Sequence, residues 1–205
     1  MKHGAVVGLV LAAGASSRMG PERNKLTEAV AGRPLVAGPV DAMHAAGIDP
    51  VFVVIGHEAE AIRASLHDRE CQFIDHEGWK AGMGSSLATG VRWILDSIEP
   101  AGILVSVGDL PDLRPEWIVS LLEAFEEADS LDCLCVPTFR DRMGHPVLFG
   151  ASHFAALCEL EGDRGGRAIL DGNAEHVRRI EIENEAILID LDTPADFDAW
   201  GGPQS

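Results

Sequence analysis

The chain has 205 residues, enough for a well-filled domain, and no Ser/Gly/Pro-rich linker divides it. Sixteen Lys and Arg against 33 Asp and Glu leave a formal charge of −17, which excludes nucleic acid as a partner because phosphate backbones need a basic face. Hydrophobic residues make up 46%, yet no apolar stretch reaches the length of a membrane-spanning helix, so no membrane partner is expected either.

The first apolar run predicts a buried strand at 5–12. It opens into Leu11-Ala12-Ala13-Gly14, followed by Arg18-Met19-Gly20 and then Lys25. Such a loop is suited to a triphosphate: glycine lets backbone N–H groups approach phosphate oxygens, and the two cations neutralise them. A P-loop is excluded because Pro21, not lysine, follows Gly20, and G-x-G-x-x-G is absent. Met1-Lys2-His3 ahead of the same run also has the form of a signal peptide, with Ala13-Gly14-Ala15 as its cleavage site. Cleavage would discard the first strand, so a cytoplasmic location is expected.

Further strands are predicted at 51–55, 71–74, 103–107 and 133–136, alternating with helices at 34–46, 59–66, 86–95 and 115–128. This alternation implies a three-layer α/β/α fold with a mostly parallel sheet, whose ligands gather at the carboxyl ends of the strands. Gly82-Met83-Gly84-Ser85-Ser86-Leu87 leads into the third helix and offers N–H groups and hydroxyls to a ribose, base or phosphate; Ser85 or Ser86 is also a natural cap. Gly108-Asp109-Leu110-Pro111 continues the strand at 103–107, so Asp109 projects over the crevice as a carboxylate for a hard cation such as Mg²⁺. Cys71, Cys133, Cys135 and Cys158 contain no C-x-x-C and read as buried reduced thiols; without H-E-x-x-H no zinc site is expected.

The last third differs in texture. It predicts an extended segment at 143–149, a helix at 152–159 and strands at 177–182 and 186–189. Asp190 and Asp192 alternate at the end of the last strand, which puts both on one face to complete a metal site opposite Asp109. Thr193-Pro194-Ala195-Asp196 has the form of a capping box opening a helix that runs to about residue 200.

Taken in order, these segments resemble the molybdenum-cofactor nucleotidyltransferases. Their signature reads LAAG or LAGG, then S-x-R-M-G, then a lysine; here Pro21-Glu22-Arg23-Asn24 lengthens the approach to Lys25, and Arg23 competes with it as the phosphate cation. Gly108-Asp109-Leu110-Pro111 is similar to the family's G-D-M-P, whose aspartate binds metal, and G-M-G-S-S-L matches without substitution. Asp190-Leu191-Asp192-Thr193-Pro194-Ala195-Asp196 resembles the D-I-D-T-P-x-D ending of the molybdenum cofactor cytidylyltransferases. Gly144-His145-Pro146 and Gly162-Asp163-Arg164-Gly165 resemble segments that face a phosphorylated pterin, with Arg164 or Arg167 for its phosphate.

The resemblance runs from residue 9 to residue 197. It implies the nucleotide-diphospho-sugar transferase (Rossmann-like) type of fold in one domain, with a nucleotide part to about residue 137 and an acceptor part at about 138–200. The implied reaction is Mg²⁺-dependent transfer of CMP from CTP to molybdopterin, possible service to a molybdenum hydroxylase client included. Implied catalytic residues are Arg18, Lys25 and Asp109. Leu11, Ala12, Ala13, Gly14, Gly84, Ser85 and Ser86 would join Arg18 and Lys25 in binding nucleotide; His145, Arg164 and Asp190 would bind the acceptor; Asp109 and Asp192 would bind metal. Ala13, where guanylyltransferases of the family carry glycine, and Gly108, where they carry cysteine, resemble the cytidine type. A GTP-dependent guanylyltransferase, a different phosphorylated acceptor and a non-catalytic cofactor carrier remain alternatives.

Overall fold

The computed structural model describes residues 4–20 and 23–200, so the readings placed on Met1-Lys2-His3 and on Pro21-Glu22 lie outside the described residues. In chain order it forms β1 (Val6–Ala12), a short hairpin of β2 (Ala29–Val30) and β3 (Arg33–Pro34), α1 (Ala37–Ala45), β4 (Val51–Ile55), α2 (Ala59–Ser65), β5 (Gln72–Asp75), α3 (Met83–Ser97), β6 (Gly102–Val107) and α4 (Pro115–Ala128). The last third contributes β7 (Leu134–Phe139), β8 (Arg142–Met143), β9 (Val147–Gly150), α5 (Phe154–Cys158), α6 (Arg167–Gly172), β10 (Val177–Glu181) and α7 (Pro194–Ala199). The main sheet has the order β10-β7-β9-β6-β1-β4-β5, with β8 on β7. Strand β1 pairs parallel with both β4 and β6, and β5 and β10 are parallel to their neighbours. Strand β9 runs antiparallel between β6 and β7. The sheet is thus mostly parallel, and among the described residues no helix is long and apolar enough to cross a membrane.

Both faces of the central strands are apolar, as a sheet covered on both sides requires. On one face Val10, Val53 and Leu104 pack with Val40 and Met43 of α1, Ile62 of α2, and Ile118 and Leu121 of α4. On the other, Leu9, Phe52 and Val105 pack with Leu87, Val91 and Ile94 of α3, and with Leu157 and Leu170 of α5 and α6. Each such fully buried side chain contributes on the order of 1.5–3 kcal/mol. Because β4 follows β1 on one side and β6 lies on the other, the topology reverses at β1, and the crevice opens there beyond the strand ends.

The region at 186–189 is not a strand. Glu185–Leu188 form a 3₁₀ turn, entered through Asn184, whose side chain accepts from the Ala186 N–H. The alternation of Asp190 and Asp192 survives for another reason: Leu191 between them is buried against Val30 and Leu35 of the hairpin region, so its two neighbours turn outward. The Leu191 N–H also donates to the Asp109 carbonyl at 3.3 Å, which seats this tail beside the end of β6. Beyond it the expected capping box is present at α7, with Thr193 and Asp196 as its partners.

Candidate active site at the carboxyl end of the sheet

Asp109 stands two residues past the end of β6. The preceding Gly108 donates its N–H to the Leu11 carbonyl at 3.0 Å, and a Cβ there would lie 3.2 Å from that oxygen. The glycine therefore lets the ends of β1 and β6 close up, and the loop after β1 lies beside Asp109. Within that loop Ser16 adopts a left-handed conformation and its Oγ donates to Asn24 Oδ1 at 3.2 Å. The same Asn24 oxygen accepts from the Leu26 N–H at 3.0 Å, capping the 3₁₀ turn Lys25–Thr27. The two arms of the loop after β1 are fastened together in this way, and Lys25 is aimed at the carboxylates.

Lys25 Nζ lies 2.5 Å from Asp109 Oδ2 and 2.5 Å from Asp192 Oδ1, while Arg18 pairs with the second oxygen of Asp192. Asp109, Asp190 and Asp192 each bring a carboxylate oxygen within 4.8 Å of the others. Asp109 Oδ1 is buried with no hydrogen-bond partner among the described residues. Three hard anionic donors, one with an unused buried oxygen, fit a divalent metal of the Mg²⁺ or Mn²⁺ kind.

A cleft of about 490 Å³ covers this cluster. Leu11, Ala13, Gly14, Arg18, Lys25 and Ser86 line it as the sequence predicts. Ala12 does not: it is buried in the core on the face of α1 and α4. Gly84 and Ser85 do not line it either, because they build the start of α3. The Gly84 N–H donates to the Gly162 carbonyl at 2.7 Å, and a Cβ at Gly84 would meet the Arg164 carbonyl at 2.5 Å. Ser85 Oγ donates to the Gly82 carbonyl at 2.9 Å and accepts from His76 Nε2 at 2.9 Å; His76 Nδ1 then accepts from Thr89 Oγ1 at 3.1 Å. This network uses neutral imidazole, and burial holds the His76 pKa below its ordinary value. Arg23 pairs instead with Glu28, its Nε 2.9 Å from the carboxylate, and does not line the cleft, whereas Lys25 does.

Trp79, Lys80 and Asp163 also line the cleft and were not expected there. Trp79 is held edge-on to His57 at 5.0 Å between centroids, with the Lys80 ammonium 5.4 Å from its own ring centroid. Their sequence signal is slight: a tryptophan and a lysine ahead of the Gly-Met-Gly turn.

Next to the cleft, His145 lines two further cavities of about 240 and 250 Å³. The first is mainly apolar, walled by Met83, Leu87, Val105 and Phe149; the second reaches Asp109 and Asp190. His145 Nδ1 is buried without a partner among the described residues. Burial pushes its pKa down, against the opposing pull of Asp109 and Asp190. Arg164 is exposed and lines neither cavity nor the cleft; Arg167 is the arginine at the apolar cavity, paired with Asp171 at 2.9 Å. All four cysteines are free; Cys133 and Cys135 are buried with their sulfurs 3.5 Å apart, whereas Cys71 and Cys158 are only half-buried.

The sheet order and its helical layers define the nucleotide-diphospho-sugar transferase fold, and the cleft lies at the switch point where that fold binds ligands. More particularly, the MobA-like NTP transferase domain matches residues 8–179, and the chain belongs to this family. Among curated relatives, the bifunctional protein GlmU of Symbiobacterium thermophilum is 32% identical over 136 residues, which are 66% of this chain and 28% of that protein. The chain spans between 25% and 40% of the length of the GlmU relatives it matches. The nicotine blue oxidoreductase of Paenarthrobacter nicotinovorans is 29% identical over 199 residues, 92% of each chain. Rv0371c from Mycobacterium tuberculosis H37Rv superposes with a TM-score of 0.79 at 25% identity over 96% of this chain and 97% of that one. A second structure of that protein is a complex with manganese, with a TM-score of 0.68 at 25% identity over 96% and 94% of the two chains.

Proposed function

We propose that this chain moves CMP from CTP onto the phosphate of molybdopterin, giving the cytosine dinucleotide form of the cofactor and pyrophosphate. The observation that carries the proposal is the convergence of Lys25 and Arg18 with the three carboxylates in one cleft at the junction of β1 and β6. The pterin acceptor is supported by the likeness of the segments around Gly82, Asp109, His145 and Asp192, and the cytidine base by Ala13, which lines the cleft where glycine would leave room for a purine. A cytoplasmic location and a molybdenum hydroxylase client go with this reading.

The acceptor phosphate is ionised at neutral pH, so its oxygen attacks the α-phosphorus without a general base. Positioning and charge stabilisation then dominate, as in phosphoryl transfer generally. Arg18 and Lys25 take up the charge of the departing pyrophosphate. Asp109 and Asp192, with Asp190 in reach, hold a divalent metal, proposed as Mg²⁺, which when bound supplies Lewis-acid neutralisation of the phosphates. His145 orients the acceptor, and Arg167 replaces Arg164 as the side chain for its phosphate.

A second reading, an oxidoreductase, comes from the name of the relative that matches 92% of both chains. The apolar cavity suits a flat ring system under either reading, whereas the acidic triad and its cations favour phosphoryl chemistry. The test is label transfer from α-phosphate-labelled CTP or GTP to molybdopterin. Label in the pterin with CTP alone is the expected result; label with GTP alone overturns the base. Absence of label with both, from folded protein supplied with Mg²⁺, overturns the transfer and leaves another acceptor, the oxidoreductase or a carrier.

A further inference from the structure

Three carboxylates meet within 4.8 Å at Asp109, Asp190 and Asp192, and the space between two of them is held by this chain's own cation. The Lys25 ammonium is 2.5 Å from an oxygen of Asp109 and 2.5 Å from an oxygen of Asp192, and Arg18 takes the other oxygen of Asp192. An ammonium and a divalent ion are rivals for the same lone pairs, and side by side they repel. The side chains of Lys25, Asp109 and Asp192 are 14%, 15% and 25% exposed, so water and salt screen that repulsion less than at an open surface.

We propose that Lys25, backed by Arg18, closes the acidic triad to a free divalent ion and opens it to one that arrives with a triphosphate. This rests on the nucleotidyltransferase reading above and names the species the site selects, the metal–triphosphate complex. A free ion has to evict Lys25 while nothing receives the ammonium, and an unpaired charge in a mostly buried position is costly. A triphosphate in the same cleft offers Lys25 and Arg18 anionic oxygens in exchange, releasing the carboxylates to the metal that those phosphates carry. Metal and triphosphate therefore bind with positive coupling, and each tightens the other by the same factor.

The test is Mn²⁺ binding by electron paramagnetic resonance, with no acceptor present. With MnCl₂ alone, Lys25→Met should bind Mn²⁺ on the order of tenfold more tightly than wild type. Arg18→Ala should shift the same way by a smaller factor. Arg23→Met, which removes a guanidinium paired with Glu28 outside the cluster, should match wild type. Equal affinities in wild type, Lys25→Met and Arg18→Ala overturn the proposal, as does an equal gain in Arg23→Met. Should Lys25→Met fail to fold, Arg18→Ala decides, since its side chain is 68% exposed and its loss leaves the core intact. Inorganic tripolyphosphate then serves as a base-free probe on wild type and should tighten Mn²⁺ binding beyond the chelate's own contribution; no tightening overturns the coupling. Tightening by tripolyphosphate but not by CTP or GTP sustains the selection and sinks the nucleotide reading instead.

Discussion

At the scale of single residues, the chemistry is concentrated in few cations. A chain of formal charge −17 places Arg18, Lys25 and Lys80 around one cleft, where an anionic ligand would otherwise meet net repulsion. Replacing Arg18 by alanine should weaken triphosphate binding roughly tenfold while leaving monophosphate binding within about twofold, since a charged hydrogen bond to the outer phosphates is lost. Calorimetry with CTP and CMP measures both, and equal losses would take Arg18 off the outer phosphates. Lys25, Asp109 and Asp192 were legible because each follows a strand end or sits in a distinctive spelling. Trp79 and Asp163 were not: Asp163 reaches the cleft only because the loop at 161–166 lies against the start of α3, about eighty residues away in sequence, and Trp79 is seated by Gly56 and His57 after β4. Gly84 and Ser85 were read as nucleotide contacts; the Gly84 N–H donates to the Gly162 carbonyl at that junction, and the Ser85 hydroxyl bonds Gly82 and His76.

Among the elements, long periodic or continuously apolar segments were readable and short ones were not. Strand β4 and helix α4 fall at their predicted bounds, whereas the hairpin β2–β3 and helix α6 are too short to show a period. Helix α3 begins at Met83 rather than at 86, because a glycine-containing first turn hides its helical character. The 3₁₀ turn at Glu185–Leu188 replaces an expected strand, since four apolar-rich residues carry no information on whether a partner strand exists. The metal role proposed for Asp192 needs its backbone anchored, and α7 supplies this: Asp196 Oδ2 accepts from the Asp192 N–H at 3.1 Å and the Thr193 N–H at 2.7 Å. Thr193→Ala should cost about 1 kcal/mol of stability through the lost cap. It should also lower kcat through a looser Asp192. Urea denaturation and steady-state turnover on the same preparation check the two effects; unchanged kcat would detach α7 from the chemistry.

Over the whole molecule, stability and the site share one dependence on pH. Burial lowers the pKa of His76 and His145, so the native state resists protonation that the unfolded chain accepts below about 6.5. The unfolded state then binds more protons, and stability falls as pH drops through that region. The urea midpoint should be lower at pH 5.5 than at 7.5, and His76→Gln should narrow the difference; an unchanged difference would place the dependence elsewhere. The parallel sheet and its two apolar faces were evident from composition and alternation. The pairing of β9 antiparallel between β6 and β7 was not, because an apolar run does not reveal its direction. That strand leads on from His145 and so helps shape the side proposed for the acceptor, where Arg167, one of the two arginines expected, lines the cavity and Arg164 does not.

The most direct measurement is pyrophosphate release from CTP, Mg²⁺ and molybdopterin by wild type and Asp109→Asn, with the melting temperature of each recorded. Release by wild type, reduced about a hundredfold or more in a variant that melts normally, is the predicted result. Release at the wild-type rate from Asp109→Asn, or none from folded wild-type protein, would contradict a carboxylate-and-lysine centre for CMP transfer.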